Sequence, residues 1–143
     1  VRNEAGNWGH PFFMTIGGGS LGFQIGAEST DVILVFKNKS AIEKIFRGKM
    51  TLGADAAVAA GPVGSRAETS TDQAYRASVL SYSRSSGLFA GVSLQGFALS
   101  VDDDWNREYY EKSVNARELV KGMENLPESG TRLKETIDSY VNK

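Results

Sequence analysis

Ser81–Gly96 reads SYSRSSGLFAGVSLQG, two strand-like runs hinged on Ser85-Ser86-Gly87. Val79, Leu80, Tyr82 and Ser83 have strand character, and a Gly-bearing triplet between two such runs predicts a hairpin. Beyond the turn, Phe89, Gly91, Ser93, Gln95 and Phe97 fall on one side. Leu88, Ala90, Val92, Leu94, Gly96 and Ala98 fall on the other. The period of two predicts a long hairpin, Ala74–Arg84 against Leu88–Leu99. Glycine inside such a strand marks a bulge or a close approach by another backbone.

Upstream of the hairpin the glycines continue. Fourteen of the sixteen glycines precede residue 101. Phe12–Ile16 is a short apolar run. Leu21–Ala27 alternates apolar with small residues and reads as a half-buried strand, and Asp31–Lys37 (DVILVFK) as a well-buried one. A helix follows, with Ser40 and Glu43 as a capping box, Ala41, Ile42, Ile45 and Phe46 as its apolar stripe, and Gly48 past its end. Ala54–Ala60 alternates closely enough to read as a strand, and Gly61-Pro62 as a turn.

Downstream the character changes. Asp102, Asp103 and Asp104 open a helix carrying Trp105, Tyr109 and Tyr110, since acidic residues suit the positive end of a helix dipole. Asn115–Lys121 and Ser129–Val141 read as two more helices, the last with Leu133, Ile137 and Val141 on one face. Formal charge is +2 over residues 1–100 and −3 over residues 101–143. The reading is one α+β domain over residues 1–143: a β-rich core to residue 100, then a helical part. The sheet is expected to be Gly-rich and antiparallel, open or closed into a barrel, with helices packed on it.

Composition narrows the function. The chain has 143 residues, a net charge of −1 and no cysteine. Bulk charge therefore does not suit a nucleic-acid binder. Thiol catalysis, disulfides and Cys-ligated metals are excluded. No apolar run approaches the length of a membrane-spanning helix.

Few residues carry the marks of catalysis. Gly17, Gly19 and Gly22 fit G-x-G-x-x-G, but a dinucleotide site needs a helix to follow, and a strand pattern follows instead. Asp102–Asp104 lacks the spacing of a calcium loop, with Ser113 standing at the twelfth position. His10 is the single histidine, sits before Pro11, and has no G-x-S-x-G partner. The expectation is a non-enzyme without cofactor or metal.

The positive residues are patterned. Lys37, Lys39, Lys44, Arg47 and Lys49 lie within thirteen positions around the capped helix, and Arg66 and Arg84 in turns could extend the patch. As a solvated helix face they need no function; as a patch they suit an anionic phospholipid or membrane surface, at about 1 kcal/mol per cation. A protein-interaction or scaffold role, and ligand storage in a β-rich cavity, are the competing readings.

Gly53–Gly64 (GADAAVAAGPVG), Ala67-Glu68, Thr71-Asp72 and above all SYSRSSGLFAGVSLQG together resemble the SYLF family, as do Gly22–Phe36, Asn106-Arg107 and Tyr109-Tyr110. The resemblance covers about residues 5–141. It implies a lipid-binding module, for phosphoinositides or other membrane lipids. Eukaryotic members often join it to SH3 or FYVE modules at actin-rich and endocytic membranes. Bacterial members commonly stand alone and are exported, and with no SH3 or FYVE segment present the chain is expected to be of that kind and extracytoplasmic. It also implies a helical part and a Gly-rich strand ahead of Val1, so the domain is expected to be truncated at its N-terminus. A strand missing from the sheet would leave an edge open to self-association.

Overall fold

The structure, a computed structural model, describes residues 1–18, 31–64 and 72–142. The fold is α+β, and the described residues form two compact units: residues 16–100, and residues 1–15 together with 101–143. The predicted strand over Leu21–Ala27, Gly19 and Gly22 of the glycine motif, and Arg66 lie outside the described residues.

The larger unit is built around β5 (Val79–Ser85). On one edge it pairs antiparallel with β2 (Asp31–Phe36), from Asp31 opposite Arg84 to Phe36 opposite Val79. The other edge is shared. β4 (Val58–Ala60) runs parallel to Val79–Ser81, and β6 (Leu88–Gly91) runs antiparallel to Tyr82–Ser85. The sheet is thus mixed, not purely antiparallel, and α2 (Asp72–Arg76) lies in the crossover that parallel pairing requires. A second sheet has the order β1 (Met14–Gly18), β7 (Phe97–Val101), β3 (Lys49–Thr51). Neither sheet closes into a barrel among the described residues.

The hairpin predicted from SYSRSSGLFAGVSLQG forms, but shorter at both ends. Ala74–Arg76 belong to α2, and the second strand stops at Gly91. Ser86 and Gly87 make the two-residue turn with φ of 49° and 79°, the left-handed pair that matches strand twist. The physical stop at Gly91 is the partner strand. A Cβ there would stand 2.3 Å from the Gly61 carbonyl oxygen, so β4 already occupies the space. Ser81, fully buried, joins the two strands. Its carbonyl accepts from Gly61 N at 2.9 Å and from Val92 N at 3.2 Å. Its hydroxyl donates to the Val92 carbonyl and lies 3.2 Å from the Ala59 carbonyl. The chain then turns inward through Leu94, which is fully buried, and Phe97–Val101 joins the other sheet opposite β3.

The alanine-rich segment is a strand only at Val58–Ala60; Ala56 makes an isolated bridge with Leu52. α1 (Lys39–Phe46) starts two residues earlier than the capping box implies. Asn38 is the N-cap and accepts from Ala41 N, while the Ser40 hydroxyl donates to the Asn38 side chain. Ala41, Ile42 and Ile45 are buried as its stripe predicts, with Met50, Leu52, Val79 and Leu99 in the same unit's core.

The smaller unit holds α3 (Asp103–Tyr110), α4 (Ala116–Lys121) and α5 (Glu128–Val141). Asp102 caps α3 through Trp105 N, and Asn115 caps α4 through Arg117 N. The first residues of the chain run along these helices. Arg2 and Trp8 form a bridge around a turn, and His10 N donates to the Leu119 carbonyl at 2.8 Å. Asn106, only 1% exposed, holds Phe13 at both backbone groups: Oδ1 accepts from its N–H at 2.7 Å and Nδ2 donates to its carbonyl at 3.2 Å. The Tyr110 hydroxyl donates to the Pro11 carbonyl, and burial pushes its pKa up to about 12, helped by Tyr109 and Glu124. The face predicted for α5 is not covered: Ile137 is half-buried, but Leu133 and Val141 are exposed.

Candidate functional site

The cations singled out in the sequence separate into three places. Lys44, Arg47 and Lys49 gather at the C-terminal end of α1 and the start of β3. Lys44 and Arg47 share a face because residues three apart on a helix are neighbours. The location is electrostatically favourable, since the last turn of a helix carries partial negative charge. Lys44 Nζ donates to the Asp55 carbonyl, while the Asp55 carboxylate accepts from Thr51 N at 2.7 Å. That pair of contacts fixes the loop after β3 against α1. All three side chains stay exposed, and those of Arg47 and Lys49 make no hydrogen bond or ion pair among the described residues.

Lys37 has a different neighbour. Its ammonium donates to the Tyr75 carbonyl at 2.7 Å and to the Ala74 carbonyl at 3.2 Å, and sits 5.8 Å from the centre of the Tyr75 ring. It therefore fastens the end of β2 to α2. Lys39 opens α1, at the end of the helix opposite Arg47, and is exposed. Arg84 lies at the far end of the β2–β5 ladder, opposite Asp31, with its guanidinium 5.8 Å from the centre of the Phe89 ring. Six residues of strand, roughly 20 Å, separate Arg84 from Lys37. The structure thus sets Lys44, Arg47 and Lys49 at one end of α1, Lys37 and Lys39 at the other, and leaves Arg84 apart.

Sequence reasoning missed the exposed apolar groups of the same unit. Leu88, 76% exposed, and Phe89 stand at the β5–β6 turn beside Arg84. Ile33 and Val35 are exposed on the β2 face, although DVILVFK reads as a buried run. A continuous apolar run hides which of its two faces is covered.

The other candidate groups do not converge on one another. Among the described residues no cluster of three or more His, Asp or Glu is placed to hold a metal ion. His10 lies against α4, and its Nδ1 has no hydrogen-bond partner. Desolvation, then the charge of Lys134, hold its pKa below the usual histidine value, against the opposing pull of Glu124. Asp102 is occupied as a helix cap and accepts from the Thr15 hydroxyl at 2.7 Å. No helix among the described residues is long and apolar enough to cross a membrane.

Residues 17–140 match the family model Ysc84, described as "Las17-binding protein actin regulator". An SH3 domain-containing protein of Schizosaccharomyces pombe is 36% identical over 144 residues, covering 99% of this chain and 34% of that protein. SH3 domain-containing YSC84-like protein 1 of Homo sapiens is 34% identical, over 100% of this chain and 42% of the relative. Protein YSC84 of Saccharomyces cerevisiae is 30% identical, over 97% of this chain and 30% of the relative. The chain thus spans less than half the length of these curated relatives. No solved structure matches.

Proposed function

The chain belongs to the Ysc84 family, which is also the SYLF family of the sequence resemblance, and from that membership we propose that it is a non-enzymatic interaction module of an actin-regulating system. The observation that carries this reading is the exposed trio Lys44, Arg47 and Lys49 at the C-terminal end of α1 and the start of β3. Three cations held on a rigid element offer a complementary face to an acidic protein surface, and such complementarity governs encounter rate and partner choice. The relatives named for an SH3 domain, and the family description as Las17-binding, support a protein partner from the actin machinery.

The test is co-sedimentation with purified actin filaments, alongside pulldown with a Las17-type protein. Binding is expected at low salt and is expected to weaken as screening increases. The combined Lys44→Glu, Arg47→Glu, Lys49→Glu variant should lose at least tenfold in affinity while keeping its folded circular dichroism. Unchanged binding of that variant to both partners would overturn the role given to this surface.

A second reading is favoured by Leu88 and Phe89, exposed at a hairpin tip beside Arg84. Apolar side chains next to a cation suit the boundary of an anionic membrane, and each nearby Lys or Arg adds about 1 kcal/mol. Vesicles of neutral phosphatidylcholine, compared with vesicles containing phosphatidylserine or a phosphoinositide, distinguish the two. Equal binding to neutral and anionic vesicles would rule out the electrostatic lipid surface.

A further inference from the structure

A row of aromatic side chains lies at the surface of the smaller unit. The Trp105 and Phe13 ring centres are 6.2 Å apart, those of Phe13 and Tyr109 5.3 Å, and those of Tyr109 and Tyr110 5.0 Å. The inner end of the row is secured. Tyr110 donates to the Pro11 carbonyl, Asn106 holds Phe13 at both backbone groups, and the Tyr109 hydroxyl lies 2.6 Å from Ser129 Oγ on α5. The outer end is in water: Trp105 is 58% exposed and Phe13 39%. All of these residues belong to the unit of residues 1–15 and 101–143, in which only Lys143 lies outside the described residues. Core packing does not require an indole so far in solvent, and tryptophan is among the side chains enriched at the centres of binding surfaces.

The charge beside the row is negative. Residues three and four apart on a helix are neighbours, so Glu108 stands next to Trp105. By the same spacing Asp104, Glu108 and Glu111 form a second row, along α3 beside Trp105 and Tyr109, and all three are exposed. Asp104 pairs with Arg107, while Glu108 and Glu111 make no ion pair among the described residues. Helix stability does not account for this row. Glu108 and Glu111 stand where the helix dipole is negative, and Asp104 and Glu108 are like charges four residues apart. A cation bound at Trp105 would relieve both.

We propose that this aromatic shelf receives a basic, extended peptide segment of a partner protein, with an arginine guanidinium stacked on Trp105. Tryptophan is the best aromatic partner for a cation, and a planar guanidinium stacks on it where an ammonium does not. Alternate side chains of an extended chain advance by roughly 6.6 Å, close to the 6.2 Å between Trp105 and Phe13. One side chain therefore lies on each ring, and the acidic row meets the cations along the outer side. The same acids disfavour a membrane, since they repel anionic headgroups and resist transfer to the lipid interface. The shelf is separate from Lys44, Arg47 and Lys49, which belong to the other unit and carry the opposite charge. The inference thus goes beyond the proposed function and stands without it.

The test is fluorescence anisotropy of a fluorescein-labelled pentapeptide amide, RARAR, titrated with the chain at low salt. A dissociation constant on the order of 100 µM is expected, rising with salt. The lysine analogue KAKAK should bind about threefold more weakly, and EAEAE should not bind. Trp105→Ala should weaken RARAR about tenfold, and Trp105→Phe should restore most of the binding. Glu108→Lys leaves the rings in place and should weaken binding about fivefold, so the outcome does not hang on the folding of one variant. The combined Lys44→Glu, Arg47→Glu, Lys49→Glu variant should bind RARAR no more weakly than the parent, which separates this result from that of the actin-directed reading. The proposal is overturned if RARAR does not bind at about 1 mM protein. It is equally overturned if Trp105→Ala and Glu108→Lys bind like the parent, or if KAKAK binds as tightly as RARAR. A membrane on the shelf would appear as Trp105-dependent binding to phosphatidylcholine vesicles without peptide binding. A second copy of the chain would appear as Trp105-dependent self-association in sedimentation, again without peptide binding. Either result overturns the proposal.

Discussion

At the scale of single residues, the positions that resist change are those where two backbones meet. A Cβ at Gly61 would overlap the Tyr82 ring, at 2.0 Å from its nearest atom, and one at Gly91 would meet the Gly61 carbonyl at 2.3 Å. The Tyr82 ring has room to move only by leaving its face of β5, and the carbonyl can move only by opening the join of β4 and β6. Gly91→Ala is therefore expected to destabilise by about 2 kcal/mol or more, read as the denaturant midpoint. Asn106 is the corresponding position in the helical unit. Asn106→Ala removes two hydrogen bonds to Phe13 and strands its N–H, at an expected cost of about 2 kcal/mol. Tyr110 gives a pH signature. Its folded pKa of about 12 lies above the ordinary tyrosine value of 10.0, so its contribution is complete below pH 10. That contribution is lost as pH rises through the folded value. Thermal melts between pH 10 and 12 should fall more steeply for the parent than for Tyr110→Phe.

At the scale of elements, the caps and the turn are each assigned to particular side chains. Asn38→Ala should cost about 1 kcal/mol because it removes the cap of α1, and Ser40→Ala should cost less because Ser40 only supports Asn38. The reverse order in urea denaturation would restore the capping box expected from Ser40 and Glu43. In the β5–β6 turn, Ser86 has φ of 49°, a conformation asparagine adopts at lower cost than serine. Ser86→Asn should leave stability unchanged or raise it by up to about 0.5 kcal/mol, while Ser86→Val should lower it.

At the scale of the whole molecule, the chain is divided unequally. The first fifteen residues fold with the helices after residue 100, and the segment between forms the β-rich unit. The links on one side are specific: His10 to Leu119, Pro11 to Tyr110 and Phe13 to Asn106. Deleting residues 1–13 removes all three. Hydrogen exchange is then expected to accelerate in α3 and α4 more than in β5, whose partners β2, β4 and β6 lie within residues 31–91.

The sequence alone determined whatever depends on neighbours a few residues away. Period-two alternation placed the β5–β6 hairpin, Ser85-Ser86-Gly87 placed its turn, the Ala41–Phe46 stripe placed α1, and the Asp102–Asp104 run placed the start of α3. The long Ser81–Gly96 signature also named the family, because many local constraints coincide in it. Tertiary structure alone decided three things. The hairpin stops at Gly91 because β4, some thirty residues earlier, already fills the rest of that edge of β5. Arg84 stands apart from Lys44, Arg47 and Lys49, because register fixes which end of a strand a turn residue occupies. Asp31–Phe36 leaves Ile33 and Val35 exposed because a run of apolar residues does not encode which side receives a partner. Local pattern sets the element; the competition of distant segments for the same edge sets what the element touches.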